Sequence, residues 1–170
     1  QFAWPCQEPQ LFWHVHGPEA MDGYSYYNVR ELSATIRVRV RVVRTFVTQS
    51  SGTSICVVIP YRAQLSRFRQ HLCALSEELS EHSVSTRVSA DTVESTQGRE
   101  FDFVVVCGVR SAPQPGNMRK GFWTDHRRLN VAGTRARHGL VIVGDSASLS
   151  RCGRWGDLLS IYRERGLIYT

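Results

Sequence analysis

Four short apolar runs, Leu11–Val15, Ile55–Ile59, Phe103–Cys107 and Leu140–Val143, set the tightest limit on what this chain can fold into. They are continuous and rich in β-branched residues, as strands covered on both faces tend to be. Between them the period turns helical. From Tyr61 to Leu79 the residues Leu65, Phe68, Leu72, Leu75 and Leu79 recur three and four apart, which predicts an amphipathic helix. A second helix is predicted from Asp125 to His138, with Asp125 as its N-cap and Gly139 just past its end. A third is predicted from Trp155 to Arg165, with Trp155, Leu158, Leu159 and Tyr162 on one side. Buried strands alternating with helices predict a parallel sheet in an α/β domain, and 170 residues suit one such domain over 1–170. Ser111–Lys120, with Pro113, Pro115 and Gly116, reads as a loop. Ile36–Val42 reads two ways: its period-two alternation argues for a strand, while Asn28 upstream is a good helix cap.

Composition removes several classes. A hydrophobic fraction of 42% supports a core. No apolar stretch approaches the ~20 residues that span a bilayer, so no membrane partner is expected. Gln1–Pro9 lacks the basic-then-apolar order of a signal peptide, and the missing initiator Met points to a fragment of a longer protein. The five cysteines, Cys6, Cys56, Cys73, Cys107 and Cys152, form no C-x-x-C pair, which suits a reduced intracellular protein of cytoplasm or nucleus. His14 and His16 near Cys6 fit no zinc spacing, so no metal site is expected. The net charge is +6, and among the 21 cations only Lys120 is lysine. Such arginine-rich chains suit a polyanion, although a solvated basic face gives the same balance.

Three segments hold more polar chemistry than architecture requires. In Val58–Gln64 a strand end, Pro60 and a helix start follow at once, so backbone N–H groups are available to a phosphate. In Ala90–Asp102, hydroxyls, an amide, a glycine, an arginine and carboxylates crowd one connection. Asp91 and Glu94 have capping-box spacing. Thr92, Ser95 and Gln97 are donors for a nucleic-acid backbone, and Glu100 is an acceptor for a ribose hydroxyl or a water. In Thr124–Gly139 the predicted helix carries arginines, with Arg128 and Arg135 two turns apart on one face. An arginine so placed can reach a γ-phosphate and stabilise charge developing there.

The order of these segments resembles the second RecA-like domain of superfamily-1B helicases of the up-frameshift type. Residues 91–102 look like motif V, residues 127–144 like motif VI, and Ile59–Gln64 like the family's "TPY-x-x-Q" segment. Asn28 and Glu31 fall at its "N-x-x-E" helix start, which favours a helix over 28–46. The resemblance implies a RecA-like P-loop NTPase fold, a parallel sheet flanked by helices, here without Walker A. It implies that Arg135 is the arginine finger, that Glu100 lies near the ribose, and that Gly98 and Gln97 link nucleotide state to nucleic-acid grip. Arg128 joins the nucleotide side. Pro60 and Thr92 are implied as contacts to single-stranded nucleic acid, RNA ahead of DNA.

Three positions depart from the pattern: Ile59 replaces a threonine, Thr96 an aromatic, and Gly133 interrupts "Ala-Leu-Thr-Arg". A mid-helix glycine costs about 1 kcal/mol relative to alanine. No G-x-x-x-x-G-K-[ST] loop and no Walker B carboxylate pair occur. ATP and Mg²⁺ are therefore expected to be held mainly by an N-terminal RecA-like domain of the same chain. The expected function is the second motor domain of an ATP-dependent helicase, inactive in isolation. The alternative is a degenerate helicase fold serving as a scaffold or transcriptional coactivator.

Overall fold

The apolar runs become the centre of one sheet. The computed structural model describes residues 8–47, 52–79, 87–111 and 125–170. In chain order the elements are β1 (Gln10–His14), β2 (Ala20–Asp22), β3 (Ser25–Tyr27), α1 (Val29–Val47), β4 (Ser54–Val58) and α2 (Arg62–Leu79). There follow β5 (Arg87–Asp91), β6 (Phe101–Cys107), α3 (His126–Gly133), β7 (Ala136–Gly144), α4 (Ser146–Leu149), α5 (Arg154–Glu164) and β8 (Ile168–Tyr169). Six strands form a sheet in the order β5-β4-β6-β7-β1-β8, and each pairing in it is parallel. β2 and β3 form a separate antiparallel hairpin.

Alternation along each strand divides the core in two. Ile55, Val57, Phe103, Val105, Cys107, Val141 and Val143 face α1 and α2. Cys56, Val58, Val104, Val106 and Ile142 face the other way, against Ala132, Leu149, Trp155, Leu159 and Tyr162. Across a register shift between Phe101 and Phe103, where β7 advances three residues against two in β6, Phe101 lies on this second face. The predicted helix at 61–79 appears as α2 with Leu65 and Phe68 buried; the side chains of Leu75 and Leu79 lie outside the described residues. The closing helix appears as α5, with Trp155, Leu159 and Tyr162 buried.

The ambiguous segment is helical. Asn28 caps α1, its Oδ1 accepting from the N–H groups of Arg30 and Glu31, both at 3.1 Å. Glu31, Ala34, Thr35, Val38 and Val42 are buried at spacings of three and four, so the core-facing stripe outweighs the period-two alternation. Arg39 is drawn into this interface at 7% exposure, and its Nε and Nη1 find no hydrogen-bond partner.

Two expectations are corrected. The helix predicted over 125–138 stops at Gly133, and β7 begins at Ala136. Asp125 is the N-cap, accepting from Arg127 N–H, but Gly139 lies inside β7 opposite Phe103. The physical reason is the strand partner: Phe101 and Phe103 pair with Ala136 and Gly139, so the chain is needed as a strand earlier than helical periodicity implies. Gly133 is thus a terminal helix residue, where the mid-helix penalty does not apply. The loop predicted over Ser111–Lys120 lies, beyond Ser111, outside the described residues.

Candidate functional site

The connection from β5 to β6 organises the site. The two strands are parallel and separated by β4, so residues 92–100 must return from the carboxyl end of one strand to the amino end of the other. Val93 and Thr96 pin this return to the core at 1% and 0% exposure, Thr96 Oγ1 donating to Val93 O at 2.8 Å. A 3₁₀ turn over Glu94–Thr96 replaces the predicted capping box. Asp91 does not cap it, because that carboxylate is held by Arg69 at 3.2 Å and Arg99 at 3.4 Å. Thr92 sits there instead, its Oγ1 accepting from Ser95 N–H at 3.4 Å and lying 3.1 Å from Ser95 Oγ. Gln97 and Gly98 follow, both exposed. Gly98 has φ +73°, a conformation a side chain would strain even though its Cβ would meet open space.

Of the nucleotide candidates, Gly98, Glu100 and Arg135 lie towards the end of this return, at the amino ends of β6 and β7, while Arg128 sits on Glu94 near the start of the return. Phe101 N–H donates to Arg135 O at 2.9 Å, which fixes the turn after α3 beside Glu100. Arg135 is half-buried. Its guanidinium donates to Val131 O at 3.0 Å, Arg99 O at 3.2 Å and Thr134 Oγ1 at 3.0 Å. Those acceptors are neutral, and among the described residues no carboxylate pairs with it. Arg128 and Arg137 differ. Arg128 lies 3.2 Å from Glu94 and 3.7 Å from Asp125, and Arg137 lies 2.9 Å from Glu100 with both side chains 56% exposed. The expectation that Arg128 and Arg135 share one helical face is corrected: Arg135 is on the turn beyond α3 and Arg128 near its start. The sequence reading also missed Arg137 as Glu100's partner. That pairing follows from the strand start at Ala136, which local periodicity does not reveal.

Pro60, Thr92 and Ser95 lie at the opposite edge, by the carboxyl ends of β4 and β5, where Ile59 N–H donates to Asp91 O at 2.9 Å. The five-residue strands separate the two edges by roughly 16 Å. The helix start after Pro60 is less open to a phosphate than its sequence implies, since Ala63 N–H is taken by Ser25 Oγ at 3.0 Å. Ile59 is fully buried, which accounts for an apolar residue there.

A buried polar knot stands at this same carboxyl edge. Gln64 Oε1 accepts from Asn28 N–H at 3.0 Å while Gln64 Nε2 donates to Asn28 O at 3.1 Å. Asn28 Nδ2 donates to Gly17 O at 2.9 Å. Glu31 Oε2 accepts from Val109 N–H, and Ser111 Oγ donates to Oε1 at 3.3 Å. Val109 has φ +73°, an unusual backbone for a β-branched residue, held where the knot grips it. Burial pushes the Glu31 carboxyl up to about 8, opposed by hydrogen bonds from Val109 and Ser111 and reinforced by Asp145 and Glu19. Asn28, Glu31 and Gln64 are visible in the sequence only as separate motif letters.

A family model described as an AAA domain matches residues 2–147. The chain belongs to that family. Among relatives of this AAA domain, the ATP-dependent helicase NAM7 of Saccharomyces cerevisiae is 34% identical over 99% of this chain and 17% of its own length. Regulator of nonsense transcripts 1 of Caenorhabditis elegans is 33% identical over 98% of this chain and 15% of its own length. Senataxin of Mus musculus is 29% identical over 97% and 6%. The chain therefore spans a small part of the relatives it matches. The resemblance to up-frameshift-type superfamily-1B helicases is borne out, as is the RecA-like α/β fold with its parallel sheet and flanking helices. The AAA domain holds no helix, among the described residues, long and apolar enough to cross a membrane. Among those residues no group of three or more His, Cys, Asp or Glu is placed to hold a metal ion.

Proposed function

We propose that residues 1–170 form the second motor domain of an ATP-dependent helicase that acts on single-stranded nucleic acid, with RNA as the first substrate to test. One observation carries this reading most: the Arg135 guanidinium stands at the amino edge of β6 and β7, oriented by neutral acceptors and left without a carboxylate among the described residues. An arginine that is held in place but not neutralised is ready to meet a negative group, and here that group is the γ-phosphate of ATP on a first lobe. Glu100, exposed beside it, exchanges Arg137 for the ribose. Gly98 lets the return loop turn close to the nucleotide, and Arg128 releases Glu94 to reach the phosphates. Mg²⁺ and the body of the triphosphate belong to the first lobe in this reading, since this sequence carries no G-x-x-x-x-G-K-[ST] loop.

Pro60, Thr92, Ser95 and Gln97 contact the nucleic-acid backbone, with the basic balance of +6 favouring the encounter. The return loop joins the two tasks. Arg99 binds Asp91 at the strand end through its side chain and accepts from Arg135 through its carbonyl, so a shift at the phosphate is passed along one short segment. The test is RNA-stimulated phosphate release by the full-length protein carrying Arg135→Ala or Arg135→Lys. Wild-type turnover in both variants would remove the finger, and the motor reading with it.

A further inference from the structure

Apart from the Ser25 hydroxyl that takes Ala63 N–H, the β2–β3 hairpin has no part in the machinery described so far. A two-stranded hairpin of this size is marginal by itself, so its order must come from what fastens it. Arg67 of α2 stacks over the Tyr27 ring at 3.9 Å and pairs with Asp22 at 3.0 Å. Arg110 stacks over the Tyr26 ring, also at 3.9 Å, and pairs with Glu19 at 2.8 Å. Tyr26 meets Tyr61 edge-on, ring centroids 5.7 Å apart, and Ser25 Oγ accepts from Ala63 N–H at 3.0 Å. These anchors bind the hairpin to the start of α2, next to Pro60.

All this fastening holds one aromatic ring in water. Gly23, at φ +59°, opens the two-residue turn between Asp22 and Ser25, the place where a II′ turn puts glycine. Tyr24 follows it and is 103% exposed, with Met21 beside the turn at 55%. The acids nearest the tip, Glu19 and Asp22, are both matched by arginines, and Arg62 lies exposed one residue before the Ser25 anchor. Among the described residues the tip therefore offers an aromatic face whose neighbouring acids are paired, on a rigid mount, beside the turn proposed to meet the nucleic-acid backbone. Two exposed apolar side chains make a small patch for a protein partner, whereas one ring is enough to stack on one base.

We infer that Tyr24 is a base-stacking post for single-stranded nucleic acid passing Pro60. This rests on the nucleic-acid reading given above. Stacking on an aromatic side chain tolerates any base and contributes roughly tenfold to affinity. The test is fluorescence anisotropy of a labelled mixed-sequence single-stranded RNA with the full-length protein over a salt series. Tyr24→Ala is expected to weaken binding about tenfold with an unchanged salt slope, because no phosphate contact is lost. Tyr24→Trp is expected to restore it, and an oligonucleotide with abasic sites should bind wild type and Tyr24→Ala alike. Equal affinity of wild type and Tyr24→Ala for the intact RNA overturns the post and leaves the tip to a protein partner. A tenfold loss that persists on the abasic oligonucleotide overturns it too. Absence of any salt-dependent RNA binding by wild type is a different failure, which removes the nucleic-acid reading itself.

Discussion

The two edges of the sheet handle charge in opposite ways. At the amino ends of β6 and β7, Glu100 and Arg137 are paired but solvated, and Arg135 is oriented with no carboxylate partner among the described residues. At the carboxyl ends, Asn28, Glu31 and Gln64 are fully buried and bond one another and the backbone. Solvated ion pairs contribute little to stability and exchange partners at little cost. Buried polar groups are expensive to leave unpaired, so their network persists once formed. The first edge suits groups that must change partner during a reaction. The second suits a strut that fixes where α1, α2 and the end of β6 meet, and so where the Pro60 turn sits.

Substitutions at the two edges should separate these roles. The largest effect belongs to Arg135→Ala, which is expected to lower ATP turnover of the full-length protein by about 10³-fold while leaving the thermal midpoint of this chain nearly unchanged. Next is Glu31→Ala, which strands the buried Val109 N–H and should destabilise the fold by about 1–3 kcal/mol, read by urea unfolding. An unchanged midpoint there would break the comparison from the buried side.

Glu31 also predicts a pH dependence. Its carboxyl titrates near 8 when folded, against an ordinary value of 4.5. Between those values the folded chain keeps a proton that the unfolded chain releases, so this group's contribution falls as pH rises from about 5 to 8. Glu31→Gln cannot titrate, and its stability relative to wild type should improve across that window. Parallel stability curves would refute the assignment. The smallest effect is expected for Arg137→Ala, a loss of about 0.2–1 kcal/mol at most. A loss as large as that of Glu31→Ala would mean that the amino edge is structural after all.

Much of this was legible in advance, and the misses share a cause. The central strands, α2, α5 and the Asp125 cap follow from apolar runs, a three-four stripe and a capping residue, which are local signals. β5 and β8 went unseen because these edge strands are half exposed, so their residues carry no continuous apolar run. The alternating arginines of α1 left that segment ambiguous in isolation, because the stripe that decides the helix is set by what α1 packs against. Gly139 looked like a helix stop until its pairing with Phe103 placed it in a strand.

The sequence alone settled the α/β class, the parallel sheet and the three segments rich in chemistry, because periodicity and residue type are properties of neighbours along the chain. Which residues meet was decided by the tertiary structure: Arg137 on Glu100, Arg135 on the Arg99 carbonyl, Gln64 on Asn28, and the hairpin on α2. Those contacts join residues up to dozens of positions apart. They depend on strand order, register and the point where a helix yields to a strand, all of which are fixed only when the two faces of the sheet are buried together.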